Sequence, residues 1–487
     1  SVGDADAIAI ASDGVVTFTQ APVFPDGSLA VADLDIDGAT DIGAAIVDAD
    51  LFIIDDGAGG TNRKTTAARI KTYVGSGVTF KEGGTNFSNS LLVGTDGTGT
   101  LDAAQKNIGV GVGVLAALTS GDDNIVVGYN SLDANTTGSQ NIVLGSEAMG
   151  TNTTGAGNVA IGHNTMYANT EGDCNVAIGK QTLDANTTGD TNTAVGFQAL
   201  SANTTAGGST AVGACALLSN TTGTGNVALG HRALVCNTTG SNNVGISFRA
   251  LKSNLTGINN IAIGYEAMCA TTEAEDNVAI GFRALCANTT GDHNVAVGQD
   301  ALHKNTTADN NVAVGTCASG CNTEGHSNVS IGFSALCTNT TGDKNVAIGH
   351  QSLLNLTTAN DIVAVGYNSL RALTTGTDNT AVGFEAGKSI TTGDRNTAIG
   401  YLALSTTTTV ADNTALGYKA LTANTDGDAN TALGKDAMLS NTTGADNTAV
   451  GQNALEDQTT GCKNVAVGQC AFANSTTADD NVAVGKD

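Results

Sequence analysis

A five-residue motif returns every seventeen residues through most of this chain, without a single insertion or deletion. N-I-V-V-G runs from Asn124 to Gly128, N-I-V-L-G from Asn141 to Gly145, and N-V-A-I-G from Asn158 to Gly162 and from Asn175 to Gly179. The register holds from Asn107 to Asn481, twenty-two periods and therefore twenty-three units. Only Ser209 and Ile362 replace the first asparagine, and the glycine four places on fails once, at Ser247. A fainter copy, from Ser90 to Gly94, stands one period upstream. The consensus is N-[VIT]-A-[VIL]-G-x-x-A-L-x-x-N-T-T-G-x-x, and positions within a unit are counted from its first residue.

Seventeen matches neither a heptad seam nor the glycine-every-third rule of collagen, and a helix with N-T-T-G in every unit would lose stability at each glycine and β-branched residue. What remains is a short β-branched strand, a glycine corner, a second short segment around A-L and an N-T-T-G turn. That is one coil of an all-β parallel β-solenoid, or β-roll. An extra residue in a strand flips every later side chain to the other face, which explains the missing indels. Stacked asparagines at positions one and twelve should form amide ladders, each donating to the rung above and accepting from the rung below. At about 4.8 Å per rung the array predicts a rod on the order of 105 Å long.

Composition supports order. Aromatics are 4%, tryptophan is absent and the only prolines are Pro22 and Pro25, which starves a large globular core, yet 40% of residues are hydrophobic and recur at fixed places. A formal charge of −26 argues against nucleic acid and anionic membranes as partners. No run approaches the roughly 18 apolar residues that would span a bilayer, and no signal segment opens the chain, which starts at Ser1.

In N-V-A-V-G the two large residues point to one face and the small Ala to the other. Ala can line a narrow interior of a two-sided roll, which leaves the Val, Ile and Leu stripe unsheltered. Repeated over the whole array, that stripe far exceeds the few hundred Å² of apolar patch that a soluble monomer exposes. Self-association about a common axis covers it, and three chains are the preferred number. Position six is aromatic in ten units (Tyr129, Phe197, Phe248, Tyr265, Phe282, Phe333, Tyr367, Phe384, Tyr401 and Tyr418) and His or Lys in several others, a tolerance that reads as a semi-exposed edge or interchain seam, or as surface aromatics without a role.

The strands Asn158 to Gly162, Asn345 to Gly349 and Asn464 to Gly468 resemble the N-S-V-A-I-G strands of parallel β-roll repeats in bacteriophage tail fibres and in the heads of trimeric autotransporter adhesins. The resemblance covers about 380 residues. It implies a left-handed roll, a homotrimer and a role in reaching or adhering to a cell surface. The chain departs from the adhesin pattern in its longer repeat and in showing no heptad stalk or C-terminal membrane anchor. The leader is similar to N-terminal segments of marine phage structural proteins through the stretches 48–57 and 62–74.

Residues 1–89 do not repeat and read as a small β-rich attachment or assembly domain, with 90–106 a weak first rung and transition and 107–487 the shaft. Strand candidates are 7–11, 15–19, 28–36 and 51–54, and 65–74 reads as a short helix. The chain's one dense basic cluster, Arg63, Lys64, Arg69 and Lys71, reads as a solvated helix face or as a docking patch for an acidic partner, such as other virion or fibre proteins. The last coil stops part way, at Asp487, where a solenoid needs a cap. Further chain, a partner or head-to-tail polymerisation is expected there, and a host-receptor-binding tip would lie in that distal region.

Little in the sequence suggests catalysis, and the expectation is a protein that is not an enzyme and carries no cofactor. The segment Gly383 to Ser389 is one residue short of a phosphate-binding loop and sits inside a regular rung. The histidines (His163, His231, His293, His303, His326 and His350) scatter over several repeat positions without metal-type spacing. Aspartates before the strand asparagine, as at Asp122, Asp309 and Asp479, read as turn formers or as ligands of a structural calcium. N-T-T satisfies the glycosylation rule, but the turn demands the same residues. Cys269 and Cys286 share a repeat position in successive units, within disulfide range, although free thiols in a reducing compartment are expected. The leading reading is a viral tail-fibre shaft, with a cell-surface adhesin or extracellular filament as its rival. An ice-binding solenoid is disfavoured because the threonines are adjacent in turns.

Overall fold

The computed structural model describes residues 8–10, 16–18, 51–55, 62–66, 80–84, 87–93 and 103–486. Two compact units divide the chain, Ser1–Thr79 and Phe80–Asp487. In the first, β1 (Ile8–Ile10) pairs antiparallel with β2 (Val16–Phe18), and β3 (Leu51–Asp55) with β4 (Asn62–Thr66). β1, β2 and β3 fall on three of the four predicted strand segments, β4 falls on none, and residues 28–36 lie outside the described residues. The short helix expected over 65–74 is corrected at its start. Thr65 and Thr66 close β4 opposite Phe52 and Leu51, where β-branched side chains suit an extended backbone, and residues 67–74 lie outside the described residues.

The second unit is a parallel β-solenoid. It opens with an antiparallel hairpin of β5 (Phe80–Gly84) and β6 (Phe87–Val93). β6 also pairs in parallel with β7 (Ala104–Gln105) and, at an offset of seventeen, with β8 (Ile108–Val110), so the faint upstream copy does serve as a rung. From β8 onward every unit contributes one three-residue strand at positions two to four, ending with β30 (Val482–Val484). Each pairs in parallel register with its copy one period away, as Val346 with Val363 and Ala347 with Ala364. No helix occurs among the described residues.

The alternation within the strand sets the core. Position three is buried from β8 to the last strand but one, while positions two and four stay half-buried or exposed. Ala at positions three and eight and Leu or Met at nine fill the interior, with Leu200, Leu217 and Met268 among the largest fully buried side chains. The second segment, around A-L, is not a strand. Its backbone alternates through the left-handed region at positions seven and nine (Gln198 φ 54°, Leu200 φ 53°), so its amides alternately bond the rung before and the rung after. Gln198 N–H donates to Lys180 O at 3.1 Å, and Leu200 N–H donates to Ala216 O at 3.0 Å. At position five the chain turns on glycine at φ near +135°, and a Cβ on Gly349 would lie 2.4 Å from the carbonyl oxygen of Gly366.

Candidate interaction surface

Both predicted asparagine ladders form, each amide donating to the preceding rung and accepting from the next. At position one, Asn124 Nδ2 donates to Asn107 Oδ1 of the preceding rung at 3.0 Å and to its own unit's Gly138 carbonyl at 3.0 Å. Its backbone N–H also donates to Asn107 Oδ1, at 3.0 Å. At position twelve, Asn152 Nδ2 donates to Asn135 Oδ1 at 2.8 Å and to Gly155 O at 3.0 Å. These asparagines are fully buried, so the N-T-T asparagines of the folded rod present no amide to a glycosylating enzyme. Ile362, the apolar break at position one, keeps the strand in place because its own N–H still donates to Asn345 Oδ1 at 3.0 Å.

The aspartates before the strand have a structural task that the sequence did not reveal. At position sixteen the side chain accepts the N–H of the same position one rung earlier. Gln105 N–H donates to Asp122, Asp292 N–H to Asp309 and Cys462 N–H to Asp479, at 2.7, 2.8 and 2.7 Å. His326, Ser139 and Asn360 fill the same role elsewhere. Among the described residues no group of three or more metal-ligating side chains gathers. The exposed Arg395–Asp412 pair bridges two rungs at 2.7 Å, and the guanidinium holds the Asp412 carboxyl below its usual range.

Two of the four basic residues singled out in the leader lie in β4, Arg63 opposite Ile54 and Lys64 opposite Ile53, while Arg69 and Lys71 lie outside the described residues. The phosphate-loop lookalike is an ordinary rung turn in which Lys388 pairs with Glu385 at 2.6 Å. Cys337 is the thiol pushed up to about 11, by burial first and then by the neighbouring Cys321 and Cys317.

The rod's exposed apolar surface runs along the strand face and along the corner that follows it. Position four forms an aliphatic ladder (Ile331 38% exposed, Val382 37%), beside Val, Ile or Thr at position two. One corner on, the rings of position six stack. Phe333, His350, Tyr367, Phe384, Tyr401 and Tyr418 form one run with centroids 5.1–5.2 Å apart and planes within 19°, and His231, Phe248, Tyr265 and Phe282 form another. The repeat places aromatic residues and histidine at position six, and the structure adds that they stack, with His350 continuing the run between Phe333 and Tyr367. Arg249 and Arg283 lie over Phe248 and Phe282, at 4.8 and 5.0 Å from the ring centres. No protein-family model, curated protein or solved structure matches the chain.

Proposed function

We propose that this protein is a structural fibre shaft, not an enzyme, whose chains associate as homotrimers through the strand face. The observation that carries the reading is the uninterrupted apolar ladder at position four. A solenoid that needed only its own interior would have no use for Val, Ile or Leu on the outer face of every rung. At about 25 cal/mol per Å² of apolar surface removed from water, covering such a ladder on identical partners is a large driving force for association. Identical chains about one axis bring each rung against its own copy at the same height.

Within that reading the role is the shaft of a bacteriophage tail fibre serving host attachment. The leader attaches to other virion proteins, and a distal region contacts the host receptor. The support is the resemblance of the strand motif and of the leader. The alternative, a cell-surface adhesin or extracellular filament subunit, rests on the same strand motif. Sedimentation equilibrium of the purified chain should give three times the 48.3 kDa chain mass, and immunogold labelling should decorate virion tails. A monodisperse monomer refutes the association, and label on cell envelopes instead of virions selects the adhesin.

A further inference from the structure

Ten cysteines lie in the rod, and the register decides which can meet. Cys269 and Cys286 alone share a repeat position in consecutive units; Cys321 and Cys337 miss by one position, and Cys174 has no counterpart. The two rungs are zipped on either side of the pair. Met268 N–H donates to Ala284 O at 3.0 Å, and Ala270 N–H donates to Cys286 O at 3.0 Å. Held this way, the sulfurs lie 2.6 Å apart, about 0.6 Å beyond a covalent S–S bond. Both residues are half-buried, so a small reagent can reach them.

We propose that Cys269 and Cys286 form an inter-rung thiol–disulfide exchange site, which takes low-molecular-weight disulfides as oxidant and closes into a staple between two consecutive turns. The pair is polarised for this. The hydrogen bond from Cys286 draws the Cys269 thiol below its ordinary value, and the same bond, followed by burial, raises that of Cys286. Cys269, as thiolate, attacks one sulfur of R–S–S–R and expels R–S⁻, which takes up a proton. Once Cys269 carries R–S, the hydrogen bond that chiefly raised Cys286 is gone, so Cys286 gives its proton to solvent and its thiolate attacks Cys269 Sγ, expelling the second R–S⁻, which is protonated in turn. Two protein thiols are oxidised to one disulfide while R–S–S–R is reduced to two R–SH. The staple is independent of what the rod attaches to.

The test treats the reduced full chain with oxidised glutathione, quenches with acid, alkylates and maps the cysteine peptides by mass. The expected product is a Cys269–Cys286 cross-link that dithiothreitol reverses. Cys174 should carry at most a glutathione adduct, and Cys337, protonated at neutral pH, should remain a thiol. In Cys286→Ser, which keeps the backbone register, Cys269 should accumulate as a glutathione mixed disulfide. Recovery of Cys269 and Cys286 in the wild type as alkylated thiols or as lasting glutathione adducts overturns the proposal. So does an unmodified Cys269 in the serine variant.

Discussion

An asparagine ladder has a direction, and a direction creates ends. Where two asparagines follow each other at position twelve, Nδ2 donates to the rung before, so an Oδ1 loses its ladder donor when the next rung lacks Asn. Asn254 precedes Thr271 and Asn441 precedes Gln458, and both Oδ1 atoms are buried without a partner. Gln458→Asn should restore the ladder to Asn441 and raise stability by about 1 kcal/mol in denaturant titration. A neutral or lower value contradicts the ladder's role. Where the ladder is abandoned, it is abandoned as a block. Leu356, Leu373 and Ile390 replace three consecutive asparagines with an apolar run, and Asn339 Oδ1 at the edge accepts Gly342 N–H at 3.1 Å instead. The same economy pairs two departures from the consensus in the core, where Ser319 donates to Ser330 at 2.8 Å. Ser330→Ala strands that hydroxyl and should cost about 1–3 kcal/mol. Adding Ser319→Leu should recover most of the loss, and a double variant as weak as the single one refutes the coupling.

At the scale of the rung, backbone geometry limits substitution more than side-chain volume does. Ser247 occupies the glycine corner at φ 105°, a conformation that L side chains rarely adopt. Ser247→Gly should therefore raise stability by about 1 kcal/mol, whereas Gly349→Ala, driven into the carbonyl of the next corner, should lower it by about 2 kcal/mol or more. Thermal melts of the two variants moving in the same direction would contradict this account. The strand was legible beforehand because Val-Ala-Ile alternation has only one sensible facing, with Ala177 inside and Val176 and Ile178 outside. The A-L segment was not, because Leu at φ near +50° opposes local preference and is held only by bonds to both neighbouring rungs. Asp at position sixteen was ambiguous because turn former, metal ligand and backbone acceptor all call for the same short carboxylate. Only the distance from Asp309 to the Asp292 amide decides among them.

For the whole molecule, every rung repeats one outward face, so any property of one strand is multiplied along the axis. One half-exposed Ile348 is unremarkable, but a ladder of its equivalents is a surface that water should not keep. Register makes the array equally vulnerable. A single alanine inserted after Ala347 turns the rest of that strand to the wrong face, and proteolysis should then cut the rod at that unit. An insert that leaves protease resistance unchanged would contradict the stacked-coil reading. The period, the coil and the interior Ala were all legible in the sequence, whereas a pattern that is the same in every rung carries no count of chains. The most direct measurement is a cryo-electron microscopy reconstruction of the purified protein. It should resolve three parallel rods about one axis, with rungs spaced about 4.8 Å apart and the Val346–Ile348 face turned inward. Single rods with that face open to solvent would contradict the account.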